Sequence, residues 1–275
     1  WKLSEDRKTL TITDKTGIGK LKLVGSRDLN FYQKEQIKRI RLVRRADGYY
    51  AQFCIDVERK ESVEFTGRKI GLDVGLNHFY TDSEGNQIEN PRYLRKSEKG
   101  LKRLQKRLSR KHKRGQTQSK RYHKNRAKLG RKHLKISRQR KDFVVKLARC
   151  VVQSNDLIAY ENLSVKNMVK NHCLAKSISD AGWTQFRECL EYFAQLFEKQ
   201  VFAVAPNYTS QDCSNCGQRV KKSLSVRTHV CSCGTVLDRD ENAARNILNL
   251  ALKILSGGQK STLRERRTEA KDQET

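Results

Sequence analysis

Residues 95–141 constrain the fold more than any other stretch. These 47 residues hold 22 of the chain's 59 Lys and Arg and one acid, Glu98, and so carry +21 of a net +29. Like charges within a Debye length of about 8–10 Å repel unless an anion lies between them. The segment has eight hydrophobic residues, too few for a core of its own. It belongs on a surface facing a polyanion, and nucleic acid is the usual one. Leu101, Leu104 and Leu108 stand at i, i+3 and i+7, one face of a helix. Gly115-Gln116-Thr117 offers a turn, and Tyr122, Leu129, Leu134 and Ile136 seed a second helix. The pattern predicts a basic helical hairpin packed by a thin apolar stripe; the alternative is a solvated, partly disordered charge run. Candidate nucleic-acid contacts are Lys102, Arg103, Lys106, Arg107, Arg110, Lys111, Arg121 and Lys124. Their binding would release counterions and depend steeply on salt.

The other 228 residues are about 40% hydrophobic, enough for a core. A chain of 275 residues suggests one large domain or two small ones. No run of about 18 apolar residues predicts a membrane helix. The N-terminus lacks the basic start and apolar run of a secretory signal. With scattered Cys54, Cys150, Cys173 and Cys189, this points to a reducing cytoplasm.

Residues 1–68 read as β-rich. Tyr49, Ala51, Phe53, Ile55 and Val57 alternate after Ala46-Asp47-Gly48, and Ile40 and Leu42 alternate before it, which predicts a hairpin. Gly17-Ile18-Gly19-Lys20 lacks phosphate-loop spacing and reads as a turn. Further on, strands are expected at Ile70–Gly75, His78–Thr81 and after Ser83-Glu84-Gly85-Asn86, then at Leu157–Tyr160 and Val201–Ala205. Helices are expected around Phe143–Val152, Trp183–Phe197 and 241–254. The aromatic stripe of Trp183, Phe186, Leu190, Phe193 and Phe197 reads as core, not as a stacking platform. Residues 255–275 read as a disordered tail. Strands followed by alternating helices and strands predict an α/β core with a mixed sheet.

Cys213-Ser-Asn-Cys216 and Cys231-Ser-Cys233 are two thiol pairs, each followed by a glycine that permits a tight turn. Two such pairs predict a four-cysteine structural zinc site; a lone CxxC redox motif would need no second pair. The second pair is one residue short, which predicts strained coordination, with His229 as an alternative ligand.

Three acids stand out. Asp73 lies in an apolar strand, where a carboxylate is costly unless paired or metal-bound. Glu161 ends the strand Leu157–Tyr160, and Asp240 opens the last helix. Converging at one sheet edge, they would make an oxygen site for Mg²⁺ or Mn²⁺. Each also has a plain reading: Asp73 in a strand-end turn, Glu161 on the surface, Asp240 as a helix N-cap. Composition alone does not separate Asp240 from Asp238.

Ile70-Gly71-Leu72-Asp73-Val74-Gly75, Tyr160-Glu161-Asn162-Leu163, Thr209-Ser210-Gln211-x-Cys-x-x-Cys-Gly and Asp238-Arg239-Asp240-x-Asn242-Ala243-Ala244-x-Asn246-Ile247 occur in this order. Over roughly residues 35–254 the chain resembles the TnpB/OrfB proteins of insertion sequences, relatives of compact type V CRISPR effectors. The resemblance implies an RNase H-like, RuvC-type α/β nuclease over 69–254, with the basic hairpin 95–141 and an inserted zinc ribbon 207–237. It implies a transposon-associated, RNA-guided DNA endonuclease working by two-metal-ion hydrolysis. Asp73, Glu161 and Asp240 would hold the catalytic Mg²⁺ or Mn²⁺, Arg239 would contact the scissile phosphate, and Cys213, Cys216, Cys231 and Cys233 would hold Zn²⁺. Its partners would be a transposon-end guide RNA and target DNA, in a prokaryotic, nucleoid-associated setting, with no membrane. The basic hairpin would hold the guide–target duplex by shape and backbone. Residues 1–68 resemble the second part of an OB-like wedge barrel, and the start at Trp1 suggests a truncated copy. Two other classes remain in view: a catalytically silent nucleic-acid-binding remnant or repressor-like relative, and a basic zinc-ribbon protein of ribosomal type. The last does not account for the acid within Ile70–Gly75.

Overall fold

The computed structural model describes residues 1–13, 17–25, 28–59, 61–223 and 225–257. It divides into two compact units, 1–59 with 99–135 and 60–98 with 136–275.

In the first unit, β1 (Lys2–Leu3), β2 (Thr9–Ile12) and β3 (Gly19–Lys22) form an antiparallel sheet in that order. The Gly17–Lys20 segment enters β3, with both glycines at positive φ. The expected hairpin is present as β4 (Ile37–Arg45) and β5 (Gly48–Ile55). Its register pairs Ile40 with Phe53 and Leu42 with Ala51, one apolar face by the period-2 rule. Ile40, Ala51 and Phe53 pack on a small core of Leu3, Leu10 and Ile37. The basic segment forms a helical hairpin: α1 (Tyr93–Ser109) and α2 (Lys120–Ser154), both of which run through both units. Leu101 is buried and Leu104 and Leu108 are half-buried, so the thin stripe is real. The helix expected around Phe143–Val152 is the continuation of α2, which has 35 residues. Lys, Arg, Gln and Leu all sustain a helix, and neither Gly nor Pro stands between Arg131 and Phe143 to end it.

The second unit holds a five-stranded mixed sheet. Its strands are β6 (Lys69–Val74), β7 (His78–Asp82), β8 (Gln87–Glu89), β9 (Leu157–Glu161) and β10 (Gln200–Val204), ordered β10-β9-β6-β7-β8. β10, β9 and β6 are parallel, and β7 and β8 are antiparallel to their neighbours. A parallel strand covered on both faces reads as a continuous apolar run, as in Leu157–Tyr160. Ile158 and Tyr160 belong to the cluster made with Val144, Ala148 and Val152 of α2 and with Phe186 and Leu190 of α5 (Trp183–Leu196). Leu157 and Ala159 belong to the opposite cluster, with Ile247 and Ala251 of α6 (Arg239–Ser256). The aromatic stripe is core, as expected: Trp183, Phe186, Leu190, Phe193 and Phe197 are all buried.

Short helices α3 (Val165–Met168) and α4 (Ala175–Ala181) precede α5, and a small hairpin, β11 (Thr228–Val230) with β12 (Val236–Asp238), leads into α6. Buried Asp180 of α4 accepts from the Leu94 N–H at 3.0 Å and from Arg140 Nη2 at 2.8 Å, joining the start of α1 to α2. The last helix is longer than expected and ends at Ser256, so the first residues of the stretch 255–275 read as a tail are helical; 258–275 of that stretch lie outside the described residues. No helix among the described residues is long and apolar enough to cross a membrane.

Candidate metal centres

Sheet register brings the three acids together. Gly71 of β6 pairs with Ala159 of β9, and the α6 backbone crosses directly over Gly71. A Cβ on Gly71 would stand 2.1 Å from the Ala244 carbonyl oxygen. Asp73 is two residues beyond Gly71 and Glu161 two beyond Ala159, so both point to the α6 side, about 6.6 Å farther along their strands. Asp240 is one turn before Ala244, about 6 Å back along the helix. Two strand steps and one helical turn thus bring all three to the same level.

Electrostatics report the same convergence. Burial pushes the Asp73 carboxyl well above the usual carboxylate range, the charges of Glu161 and Asp240 push it further, and Arg239 pulls it back. Burial also raises Glu161, against a hydrogen bond donated to its Oε1 by the Thr209 hydroxyl. Asp238 is the N-cap of α6: its Oδ1 accepts from the N–H groups of Asp240 at 2.8 Å and Glu241 at 3.3 Å. The cap role therefore falls to Asp238, and the Asp240 carboxylate instead faces Arg227 Nη1 at 3.6 Å. Arg239 donates to Ser210 Oγ at 3.4 Å and to the Ser223 carbonyl at 3.3 Å.

Residue-by-residue reading missed the latch that holds this corner. Asn242 is fully buried; its Nδ2 donates to the Asp212 carbonyl at 2.8 Å and its Oδ1 accepts from the Ser214 N–H at 2.9 Å. Asn246, one turn on, donates to the carbonyls of Thr209 and Asp212 at 2.8 and 2.6 Å. These two amides fasten the turn that enters the cysteine loop, and with it Thr209, to α6. The signal was the Asn pair at i, i+4 inside the last motif.

The four cysteines form one cluster. Cys213 and Cys233 Sγ are 3.7 Å apart, Cys216 and Cys231 Sγ 3.6 Å, and all four sulfurs lie within 4.8 Å of one another. A tetrahedral ion with bonds of about 2.3 Å places its sulfurs about 3.8 Å apart, so the quartet fits zinc. The shortened second pair closes the set without His229, whose Nδ1 instead meets Lys222 Nζ at 2.5 Å. The Thr235 hydroxyl and backbone N–H hold the Cys233 thiol down to about 6. Among the described residues, this is the set of three or more His, Cys, Asp or Glu whose ligand atoms lie close enough to share one ion.

Lys102, Arg103, Lys106, Arg107, Arg110, Lys111, Arg121 and Lys124 are all exposed on α1, α2 and their connection. They belong to the first unit and the acids to the second.

The profile of the IS605 OrfB family, described as a probable transposase, matches residues 52–172. That of the Cas12f1-like TNB domain matches 183–247. A protein of Streptomyces pristinaespiralis is 36% identical over 195 residues, 70% of this chain and 48% of the relative. InsQ of Escherichia coli is 32% identical over 240 residues, 81% of this chain and 59% of its own. Both are designated RNA-guided DNA endonucleases by name. A TnpB-like protein of Acanthamoeba polyphaga mimivirus is 28% identical over 215 residues, 74% of this chain and 41% of its own. The cryo-EM structure of a Cas12f1–sgRNA–target DNA complex aligns over 76% of this chain and 55% of that one, with a TM-score of 0.46 and 18% identity. The chain thus spans about half the length of the curated relatives it matches, and it belongs to the TnpB/OrfB family of transposon-encoded proteins.

Proposed function

We propose that this chain acts as a transposon-associated, RNA-guided DNA endonuclease, built on an RNase H-like core of RuvC type. One observation carries the reading: Asp73, Glu161 and Asp240 come from two strands and a helix to one partly buried corner, where burial and then the charges of Glu161 and Asp240 raise the Asp73 carboxyl and Arg239 pulls it back. Such a set of carboxylates calls for divalent cations. Two such ions would work as a pair about 3.5–4 Å apart. Mg²⁺ or Mn²⁺ held there would supply an activated water and charge stabilisation at the leaving oxygen. The protein's part is positional. Thr209 orients Glu161, Asp238 caps α6 so that the Asp240 carboxylate stays available, and Arg239 offers a cation to the scissile phosphate. Cys213, Cys216, Cys231 and Cys233 hold a structural Zn²⁺ in a ribbon tied to α6 by Asn242 and Asn246. The exposed lysines and arginines of the α1–α2 hairpin take the phosphate backbone of a guide RNA paired with target DNA.

The test is cleavage of single-stranded DNA and of guide-matched duplex with Mg²⁺ or Mn²⁺, using RNA that co-purifies with the chain. Cleavage that Asp73→Ala abolishes is the expected result. Tight binding by both versions with the substrate left whole would instead establish a catalytically silent nucleic-acid binder.

A further inference from the structure

β10 ends at Val204, and the loop after it carries Tyr208 to the lip of the acid corner. The next residue, Thr209, donates its hydroxyl to Glu161, and the one after, Ser210, accepts from Arg239 at 3.4 Å. Asn246 of α6 holds the Thr209 carbonyl at 2.8 Å, so this loop lies on the α6 side of the sheet, where the carboxylates point. The Tyr208 backbone is in the left-handed region at φ 60°, which a residue other than glycine adopts at a cost. Its carbonyl accepts from the N–H groups of Gln211 at 2.8 Å and Asp212 at 2.9 Å, a turn that keeps it there. Arg219 lies over one face of the ring, with its guanidinium carbon 3.6 Å from the centroid. Asp212 grips Arg219 in a fork, Nε to Oδ1 at 2.8 Å and Nη2 to Oδ2 at 3.4 Å. Backbone, cation and carboxylate thus fix one aromatic ring, yet Tyr208 stays 52% exposed. A tyrosine that served packing alone would be covered. Backbone strain that its surroundings maintain at the edge of a site is a mark of function.

We propose that Tyr208 is a stacking platform for a nucleobase of the strand held at Asp73, Glu161 and Asp240, resting on the nuclease reading above. With Arg219 behind it, the ring offers its open face to the base beside the scissile phosphate. Arg219 is already engaged by Asp212 and the ring, so its part is positional: it stiffens the platform and takes no phosphate. Every base has a π-face, so the platform accepts any sequence, as a strand selected by pairing with a guide requires. A base inside a duplex has both faces covered by its neighbours, so the platform takes an unpaired one.

The probe is a short oligothymidylate with a central 2-aminopurine, a base whose emission is quenched when it stacks on an aromatic ring. It is titrated with the full chain, Mg²⁺ and Mn²⁺ left out, while the anisotropy of an end label reports binding. Glycine adopts the φ of Tyr208 freely, so Tyr208→Gly removes the ring without straining the turn. The expected result is quenching on binding that Tyr208→Gly loses and Tyr208→Phe keeps, with affinity about tenfold weaker in Tyr208→Gly alone. The slope of log affinity against log salt should not change, because the ring carries no charge. Equal quenching by the wild type and Tyr208→Gly at saturation overturns the platform. So does a slope that falls by about 0.7 in Tyr208→Gly, the value of one phosphate contact on a single strand. Cleavage that depends on Asp73 while quenching is indifferent to Tyr208 overturns the platform alone. Quenching that depends on Tyr208 in a chain that cleaves nothing upholds the platform and removes the nuclease reading. Failure to bind the strand overturns both.

Discussion

Glu161 shows how much one neighbour can contribute. Burial raises its carboxyl, and the Thr209 hydroxyl works against that rise by donating to Oε1. Partners that orient a metal ligand contribute about 10–100-fold to affinity. Thr209→Val, which keeps the shape and deletes the donor, should weaken Mn²⁺ binding at the acids by about that factor in a calorimetric titration. A second residue-scale contact lies away from the site. Burial would raise the Asp156 carboxyl, but Lys199 Nζ at 2.5 Å and the N–H groups of Thr66 and Gly67 at 3.0 and 2.5 Å hold it down to about 2. An unfolded aspartate titrates near 3.9, so the folded value is the lower one, and the stabilisation is complete above about pH 4 and lost as pH falls towards about 2. Urea unfolding midpoints should therefore drop between pH 4 and 2 in the wild type, whereas Asp156→Asn should be weaker at pH 6 and lose less over that interval. Neither contact was legible beforehand: Thr209 is 48 residues from Glu161, and Lys199 is 43 from Asp156.

At the scale of elements, the decisive contact is β6 against α6. Gly71 allows the helix backbone to approach so closely that any side chain there would strike the Ala244 carbonyl and the Leu248 N–H, at 2.1 and 2.9 Å. Backbone on both sides leaves little room to yield. Gly71→Ala should cost about 3 kcal/mol or more, the upper end of overpacking penalties, as read from the urea midpoint. It should also reduce metal binding, because the same contact levels Asp73 with Asp240. The cysteine hairpin is the second such joint. Zinc content should be near one equivalent per chain and fall away in Cys216→Ala. Because β12 runs directly into α6 and Asn242 holds Ser214, chelation should also raise amide hydrogen exchange at the start of α6. Full protection of α6 in the zinc-free chain would show that the two are uncoupled. The shortened Cys231-Ser-Cys233 pair reads as strained from spacing alone, yet its sulfurs close the quartet.

At the scale of the molecule, the charge is divided. Of the 59 Lys and Arg, 22 lie within 95–141, while the three acids sit in the second unit. Charge and chemistry are then separable by mutation. Replacing Lys106, Arg107, Arg110 and Lys111 with Gln should lower the salt slope of duplex binding by about 0.9 for each phosphate contact removed. Cleavage rate at saturating substrate should be left within a few-fold. An unchanged slope would place the binding surface elsewhere.

Local pattern determined a good deal by itself. Alternation marked the β4–β5 hairpin, short apolar runs marked β6, β9 and β10, helical spacing marked α1, α5 and α6, and the cysteine pairs marked their own cluster, because each signal is contained within a few tens of residues. The continuity of α2 escaped, since its charged and apolar halves look like different helices although no residue between them breaks the backbone. Only tertiary structure decided what meets at the acids. Asp73, Glu161 and Asp240 are scattered along the chain, and whether each was ligand, cap or surface acid depended on β9 pairing with β6 and on α6 crossing Gly71. Those contacts join segments more than 80 residues apart, and no local periodicity encodes them.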